Sequence, residues 1–303
     1  MSKDTDGDDR KVSAMLPKLP TFYRPEMAVK SVRLPSPSAK KPAEFIRHLE
    51  TRGYALDIKS FEPATQDDLS TAHNVHYVSR VLSCEEPNGF GETSREVAES
   101  LPYTTGSFVA AVKHVLEGHA PVAFSPTSGF HHAGYDHGKG FCTFNGLIVA
   151  ALAAQAAGAK KVGILDCDMH FGDGTEEIIE TLELRDFIVH RTAGAVFRPK
   201  SPSKDFLPWL GDALWALREC DVLLYQAGAD PHVDDDYVGF LTDSEMEIRD
   251  HVVFAFCRRN KIPVAFNLAG GYRTDERGSI LPVLKTHENT VRACFDVCNA
   301  KEE

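Results

Sequence analysis

The stretch VGILDCDMHFGDG (162–174) decides the fold, because an apolar, strand-like run ends in it abruptly among aspartates, a histidine and glycines. If residues 162–165 form a buried parallel strand, the two-residue repeat of extended chain sends Asp166, Asp168 and His170 to one side. Carboxylate oxygen together with imidazole nitrogen suits Zn²⁺ or Fe²⁺. Asp168 and His170 are therefore predicted to hold one metal ion jointly, with a third ligand from elsewhere in the chain.

A second apolar run, DVLLYQ (221–226), leads into the turn AGADPH and makes Asp230 the best candidate for that third ligand. In open parallel α/β sheets, ligands bind outside the carboxyl ends of the strands. A single aspartate beside a glycine more often makes a turn or caps a helix, so the prediction depends on the combination of Asp168, His170 and Asp230. Three protein ligands and an open position are typical of catalytic zinc.

Two further segments place polar groups after apolar runs. SGFHHAG (128–134) holds His131 and His132 in a glycine-bracketed turn, where paired imidazoles favour general acid–base roles. Asp166 and Asp173 are each available to accept a hydrogen bond from one imidazole, which would fix its tautomer. NLAGGY (267–272) ends in Tyr272, whose hydroxyl is a neutral donor that could polarise a carbonyl opposite a metal.

Alternating apolar and helical patterns predict the surrounding fold. Strands are expected near residues 121–125, 162–165, 187–190, 222–226 and 262–266. Helices are expected near residues 105–117, 144–157, 176–184, 207–218, 244–259 and 287–298. Such βα alternation implies a three-layer α/β/α architecture with a mostly parallel central sheet.

In their order and spacing, five segments resemble the zinc-dependent histone deacetylase family, which also includes acetylpolyamine amidohydrolases on the arginase/deacetylase fold. They are GFHHAG (129–134), GFCTFN (140–145), LDCDMHFGDGT (165–175), QAGADPH (226–232) and LAGGY (268–272). Weaker similarity extends outward through AHNVHYVSRV (72–81) and NGFGETSREVAESLPYTTGS (88–107). The resemblance is nearer to short bacterial and class IV deacetylase-like proteins than to the large eukaryotic enzymes.

The resemblance implies zinc held by Asp168, His170 and Asp230, and a carbonyl-polarising role for Tyr272. The implied activity is hydrolysis of acyl-lysine side chains by metal-activated water, which yields a carboxylate and a free amine. Acetylpolyamine hydrolysis is the closest alternative, since the same residues serve both. Arginase-like ureohydrolases, which bind two metals, and a catalytically silent binding protein are the other readings left open.

The tandem histidines are implied to be catalytic, His131 paired with Asp166 and His132 paired with Asp173. Either His132 or His131 could protonate the leaving amine, and His132 is favoured as the group that takes the proton from water. A Ser or Cys nucleophile is not needed for this chemistry. Cys142 within GFCTF is expected to be a small apolar residue that packs in the core.

Two features rest on the resemblance alone. Phe141 matches one aromatic wall of the acyl-lysine tunnel, and Phe197 is the nearest candidate for the opposite wall. A K⁺ ion is implied beside the zinc, held by main-chain oxygens of Asp166, Asp168 and His170, although no hydroxyl side chain stands just before His190 in IVHRT, where the family often supplies one more oxygen. The segment VDDDYVGFLT (233–242) departs from the family's DPLGG turn and predicts a reshaped, more acidic mouth.

Composition bounds these readings. Asp and Glu outnumber Lys and Arg by 44 to 33, giving a net charge of −11 that opposes direct nucleic-acid binding. The seven cysteines include no CxxC pair, which favours a reduced, cytoplasmic protein, and the longest apolar segment (146–158) is too short to span a membrane. We expect a flexible leader (1–17), one catalytic domain (18–303) and an exposed proline-rich loop (30–42), with the oligomeric state left open.

Overall fold

A computed structural model describes residues 18–30 and 34–300 of the chain. The predicted leader, residues 1–17, lies outside the described residues, and so does part of the proline-rich loop. That residues 18–303 make up one catalytic domain stays a prediction. Within the described residues no helix combines the length and the apolar character needed to cross a membrane.

The centre of the molecule is a parallel sheet. Its strands are β1 (Leu19–Phe22), β2 (Leu56–Lys59), β3 (Val122–Ser128), β4 (Val162–Asp166), β5 (Ile188–Thr192), β6 (Val222–Gly228) and β7 (Val264–Ala269). They lie in the order β2-β1-β3-β7-β6-β4-β5. Every pair of neighbouring strands runs parallel, as the βα alternation predicts. The expected fold class is therefore confirmed.

Helices cover both faces of this sheet. They are α1 (Lys41–Thr51), α2 (Gln66–Ser70), α3 (Val75–Leu82), α4 (Arg95–Leu116), α5 (Gly146–Ala156), α6 (Asp173–Thr181), α7 (Phe206–Ala216), α8 (Asp243–Asn260) and α9 (Leu281–Asn299). Along β6, Leu223 and Tyr225 pack in a cluster with residues of α1, α7, α8 and α9. Val222 and Leu224 point the other way, into a cluster with residues of α4, α5 and α6. Alternation along the strand thus gives the sheet two buried faces and the molecule its three layers.

Helix α4 begins ten residues earlier than the sequence pattern indicates. The side chain of Ser94 accepts a hydrogen bond from the backbone N–H of Val97 and caps the helix there. Pro102 lies inside α4, where proline normally breaks a helix. Its carbonyl accepts a hydrogen bond from the N–H of Ala64, 2.9 Å away, which ties the middle of α4 to the segment before α2.

The expectation that residues 30–42 form an exposed loop is wrong at its end. Lys41 is fully buried, and Pro42 is also buried, because they form the first turn of α1. The proline and serine content of the segment indicated a surface loop, but proline also fits the first turn of a helix. As a consequence, the Lys41 side chain reaches the interior near the predicted metal ligands.

Candidate active site

Three predicted metal ligands come together where β4 and β6 end. Asp168 and His170 follow β4, and Asp230 follows β6, so the carboxyl ends of two adjacent parallel strands deliver all three. Their ligand atoms lie within 4.8 Å of one another. Nδ1 of His170 is 3.1 Å from Oδ1 of Asp168 and 2.8 Å from Oδ2 of Asp230. One imidazole nitrogen therefore faces both carboxylates.

The charges at this cluster call for a cation. Asp168 and Asp230 are almost fully buried, and burial together with the charge of Asp168 raises the pKa of Asp230 above its usual range. The same two carboxylates raise the pKa of His170 to about 11. Oδ2 of Asp230, though close to His170, has no hydrogen bond of acceptable geometry in the described structure. Two buried carboxylates and an imidazole with its Nδ1 turned toward them fit a divalent ion such as Zn²⁺ or Fe²⁺.

Glycine is required beside this cluster. Gly270 has φ +52°, and a Cβ built on it would lie 2.6 Å from Cγ of Asp230 and 2.8 Å from Oδ2 of Asp168. A side chain at this position would occupy space next to both carboxylates. The LAGGY segment therefore lets the backbone approach Asp168 and Asp230 closely.

A second group of metal-binding residue types, Asp136, His137 and Glu177, lies at the surface. Nδ1 of His137 is 3.3 Å from Asp136, and Nε2 is 3.8 Å from Glu177. Their side chains are 39% exposed or more, so water competes for every donor atom. The buried group of Asp168, His170 and Asp230 is therefore the better candidate for holding a metal ion.

Both predicted histidine–aspartate pairs are present in the structure. Nδ1 of His131 is 2.6 Å from Oδ2 of Asp166, and Nδ1 of His132 is 2.7 Å from Oδ1 of Asp173. Each imidazole is thereby oriented through Nδ1, which leaves Nε2 available to a substrate. The two rings lie 4.1 Å apart between centroids.

Asp166 does not join the metal cluster, because its carboxylate is fully engaged elsewhere. Oδ2 binds His131, while Oδ1 accepts hydrogen bonds from Nε2 of Gln226 at 2.9 Å and from the N–H of Asp168 at 3.1 Å. Gln226 lies in the QAGADPH segment, but no feature of the sequence singled it out. Its side-chain carbonyl also accepts the N–H of Phe130, so it ties the aspartate loop to the histidine loop.

The environments of the two histidines differ. Burial by itself would lower the pKa of His131, but the nearby carboxylates of Asp166 and Asp168 outweigh burial and raise it to about 9. The pKa of His132 is lowered, by burial first and by the charge of His131 second, and Asp173 only partly opposes this. The pair therefore combines one imidazole that favours its protonated form with one that favours its neutral form.

Tyr272 is positioned by Asp235, an aspartate of the segment 233–242 that departs from the family's usual turn. The buried carboxylate of Asp235 accepts the backbone N–H of Tyr272 at 2.8 Å and that of Tyr237 at 3.2 Å. Burial and the charges of Asp168 and Asp230 raise the pKa of the Tyr272 hydroxyl well above its usual range. Tyr272 therefore stays a neutral hydrogen-bond donor, which is what a carbonyl-polarising role needs.

Aromatic rings lie around the entrance to the site formed by the predicted metal ligands. The ring of Phe141 lies 5.9 Å from that of Tyr272 and 5.7 Å from that of Phe90. The exposed ring of Tyr237 contacts both His170, at 5.2 Å, and Tyr272, at 4.7 Å. Tyr237 was not singled out from the sequence. Its contacts with His170 and Tyr272 make it part of the rim of the candidate active site.

Phe197 lies among other aromatic side chains of the core. It is 4% exposed, stacks on Phe240 at 5.1 Å and meets Trp209 edge to face. The rings that contact Phe141 are instead Phe90 and Tyr272. A tunnel-wall role for Phe197 stays a prediction, as does the K⁺ site formed by main-chain oxygens.

Lys41 brings a buried ammonium group to the same region. Its Nζ donates a hydrogen bond to the carbonyl of Gly270. Burial lowers its pKa to about 8, although the carboxylates of Asp230, Asp168 and Asp235 favour the charged form. Lys41 thus fixes the turn that leads to Tyr272, and sequence reasoning missed it because its segment resembled a surface loop.

His73 joins the two loops that carry the histidine pair and Phe141. One ring nitrogen, Nδ1, bonds the carbonyl of Gly134 at 2.8 Å, and Nε2 accepts the N–H of Asn145 at 2.8 Å. The second bond requires Nε2 to be unprotonated, so the ring must be neutral to make both. Burial accordingly lowers the pKa of His73 to about 4.

We expect this histidine to make the fold sensitive to acid. Its pKa is about 6.5 when unfolded and about 4 when folded, so below pH 6.5 the unfolded chain binds a proton that the folded chain does not. Stability should fall as the pH drops through this window, by about 2 kcal/mol from this residue between pH 7 and pH 5. Urea unfolding at both pH values measures the loss.

The variant His73→Gln should show a correspondingly smaller difference in unfolding free energy between pH 7 and pH 5. His76→Gln, at an exposed position of α3, is the matched control and should keep the wild-type difference. An unchanged pH dependence in His73→Gln would show that this ring is not the acid-sensitive contact.

The sequence matches a family model described as the histone deacetylase domain over residues 36–201, more than half of the 303 residues. The chain therefore belongs to the histone deacetylase domain family. All the site segments that follow residue 201, including those of Asp230 and Tyr272, lie beyond the matched region.

Several curated proteins are similar in sequence. Histone deacetylase 15 of Arabidopsis thaliana is 51% identical over 76 residues, which cover 25% of this chain and 14% of that protein. Histone deacetylase-like amidohydrolase of Pseudomonas aeruginosa is 32% identical over 155 residues, covering 47% and 40%. Acetylpolyamine amidohydrolase 2 of the same organism is 30% identical over 188 residues, covering 52% and 53%. The matches thus span little more than half of these relatives at most.

Solved structures share the fold over nearly the whole chain. The HDA15 HD domain superposes with a TM-score of 0.76 at 20% identity, covering 94% of this chain and 88% of that one. Acetylpolyamine aminohydrolase from Burkholderia pseudomallei gives a TM-score of 0.73 at 19% identity, covering 92% and 99%. At such identities the likeness establishes the deacetylase fold and nothing about substrate.

Proposed function

We propose that this protein is a metal-dependent amidohydrolase that removes acyl groups from lysine side chains. The observation that carries the proposal is the cluster of Asp168, His170 and Asp230 beside the oriented imidazoles and Tyr272. Membership of the histone deacetylase domain family supports it, as do relatives named as deacetylases and amidohydrolases.

Asp168, His170 and Asp230 would hold one Zn²⁺ or Fe²⁺ ion. When bound, the ion would supply Lewis acidity to the amide carbonyl and to water. Nε2 of His132 accepts the proton that water gives up, since Asp173 holds the other nitrogen as a donor. The hydroxyl of Tyr272 donates to the carbonyl oxygen as negative charge develops on it. The amine leaves with a proton returned by His132 or His131, and the acyl group leaves as a carboxylate.

Acetylpolyamine hydrolysis is the second candidate, because acetylpolyamine amidohydrolases are among the similar proteins. The segment 233–242 carries exposed Asp234 and Asp236 next to Tyr237. Asp234 is paired with Arg273 at 2.9 Å, so Asp236 is the negative charge there that would favour a cationic amine. Asp235 does not add to that surface, because it is turned inward to the backbone of Tyr272. Lysine-rich peptides are also cationic, so the rim alone fits both substrates.

Turnover of acetyl-lysine peptides and of acetylspermidine by the same preparation tests the proposal. We expect hydrolysis of the peptide, and in the variant His132→Ala we expect most of that turnover to be lost while the metal stays bound. Faster hydrolysis of acetylspermidine would reassign the substrate. Metal-loaded protein without turnover on any acyl-amine would favour a silent binding protein, and unchanged turnover in His132→Ala would refute its role as the base.

A further inference from the structure

One buried charge behind the candidate active site has no part in the proposed chemistry, the guanidinium group of Arg249 in α8. Arg249 is 1% exposed, and it is among the largest side chains that the described part of the chain buries completely. Arginine is almost never fully buried unless its charge is paired. The contacts of its five N–H donors should therefore show what this residue does.

Two of the three guanidinium nitrogens bind the neighbouring carboxylate. Nε of Arg249 donates to Oδ1 of Asp250 at 2.8 Å, and Nη2 donates to Oδ2 at 3.2 Å. Asp250 also accepts hydrogen bonds from the hydroxyl of Tyr225 and, at 2.6 Å, from that of Thr290. Burial by itself would lower the pKa of Arg249, but the charge of Asp250 outweighs burial and raises it. The pair is therefore a bidentate ion pair that is neutral as a whole.

The third nitrogen, Nη1, reaches the main chain where β4 and β6 end. It donates a hydrogen bond to the carbonyl of Gly228 at 2.6 Å and lies 3.5 Å from the carbonyl of Cys167. Cys167 follows β4 and directly precedes Asp168. Gly228 ends β6, two residues before Asp230. Nη1 therefore contacts both segments that deliver the buried carboxylates of the predicted metal ligands.

These two segments lie against each other at this point, so their separation matters. The parallel pairing of β4 with β6 runs as far as Asp166 and Gln226. Beyond that pair, a Cβ built on Gly228 would lie only 2.4 Å from Cα of Asp168. The backbone of one segment thus packs directly on a residue that supplies a ligand from the other. A shift of Gly228 would therefore move Asp230 relative to Asp168.

We propose that Arg249 is a positioning residue of the metal site, which sets the separation of Asp168 from Asp230 and thereby the affinity and coordination geometry of the bound ion. This inference rests on the proposed function, since it concerns the metal ion of the proposed hydrolase. Groups behind the ligands matter because they hold the ligands in the orientation that the ion requires. Arginine suits this role because its planar group bonds Asp250 and the main chain at the same time.

Arg249→Lys tests the inference, because lysine keeps the positive charge but has a single nitrogen that cannot make all of these contacts. We expect the Kd for Zn²⁺, measured by competition with a chromophoric chelator, to rise by about 10–100-fold. We also expect a changed visible absorption spectrum for protein saturated with Co²⁺, because that spectrum depends on the coordination geometry of the ion. A wild-type Kd together with a wild-type spectrum would overturn the inference.

Arg258→Lys is the matched control. Arg258 is a second arginine of α8 that donates to two main-chain carbonyls, those of Val297 and, at 2.7 Å, Ala300. These carbonyls lie at the end of α9 and not in the segments that carry the predicted metal ligands. We expect Arg258→Lys to keep the wild-type Kd and Co²⁺ spectrum, even if its melting temperature falls. An equal loss of metal affinity in both variants would reflect a general loss of stability and would contradict the assignment.

A double variant, Arg249→Gln with Asp250→Asn, separates positioning from the cost of an unpaired buried charge. It removes both charges of the ion pair, so no lone charge stays buried. Glutamine is shorter than arginine and cannot bond position 250 and Gly228 together, so we expect the same loss of Zn²⁺ affinity as in Arg249→Lys. Wild-type affinity in the double variant would overturn the inference. If circular dichroism shows that neither variant folds, Arg249 serves the fold as a whole, and the inference is likewise overturned.

Metal binding by the wild-type protein separates this inference from the proposed function. If wild-type protein binds one ion and hydrolyses acetyl-lysine, but Arg249→Lys keeps the wild-type Kd and Co²⁺ spectrum, the assignment of Arg249 fails alone. If wild-type protein binds no divalent ion, the proposed function fails first and the inference falls with it.

Discussion

Asp230→Asn is expected to release the metal ion and to abolish hydrolysis. The substitution keeps the size of the side chain and an oxygen for the N–H of Met169, which Oδ1 of Asp230 accepts at 3.2 Å. It removes one of the two negative charges that favour a cation at His170. Changes in residues that merely support metal ligands typically cost 10–100-fold in affinity or activity, so loss of a ligand should cost more than about 100-fold in metal affinity.

Elemental analysis of purified protein measures this directly. Wild-type protein should carry one divalent ion per chain, and Asp230→Asn should carry far less than one. Asp236→Asn, an exposed aspartate of the same loop, is the matched control and should keep its metal ion. Two ions per wild-type chain would favour an arginase-like centre, and full metal content in Asp230→Asn would exclude Asp230 as a ligand.

Tyr272→Phe should lower turnover while leaving the metal in place. Phenylalanine keeps the ring contacts with Phe141 and Tyr237, so only the hydroxyl is lost. Removing one preorganised donor to a developing oxyanion costs about 10²–10³ in kcat, or about 3–4 kcal/mol. The loss should fall on kcat rather than KM, because the hydrogen bond strengthens as charge develops.

Steady-state kinetics on an acetyl-lysine peptide, with metal content measured on the same sample, checks this expectation. Tyr103→Phe in α4 is a control for loss of a tyrosine hydroxyl away from the site, and should turn over like wild type. A rise in KM with kcat unchanged, or loss of metal in Tyr272→Phe, would mean that this tyrosine shapes the site without polarising the carbonyl.

The central sheet and the residues at its carboxyl edge could be predicted because their signals are local. Apolar runs end in aspartates at positions 166, 168 and 230, and each run is a fully buried strand in the structure. The distances among Asp168, His170 and Asp230 follow from the adjacency of β4 and β6. Short strands β1 and β2 carry no such run, and were not predicted.

The supporting contacts could not be predicted, because they join distant parts of the chain. Lys41 reaches Gly270 across 229 positions, and His73 bonds Asn145 across 72. In sequence, both residues lie in segments with ordinary loop or helix patterns. Only the folded backbone shows that Lys41 is buried and that both nitrogens of His73 are engaged.

The inward carboxylate of Asp235 separates two properties that share one short loop. It fastens the backbone of Tyr272 on one oxygen and that of Tyr237 on the other, while Asp236, Tyr237 and Val238 present their side chains outward. New side chains at 236 and 238 would therefore alter what arrives at the entrance without disturbing the reactive groups below, whereas the ring of Tyr237 also contacts His170 and Tyr272. Substitutions at these positions, among relatives or in the laboratory, can therefore change the entrance, provided that Asp235 is retained.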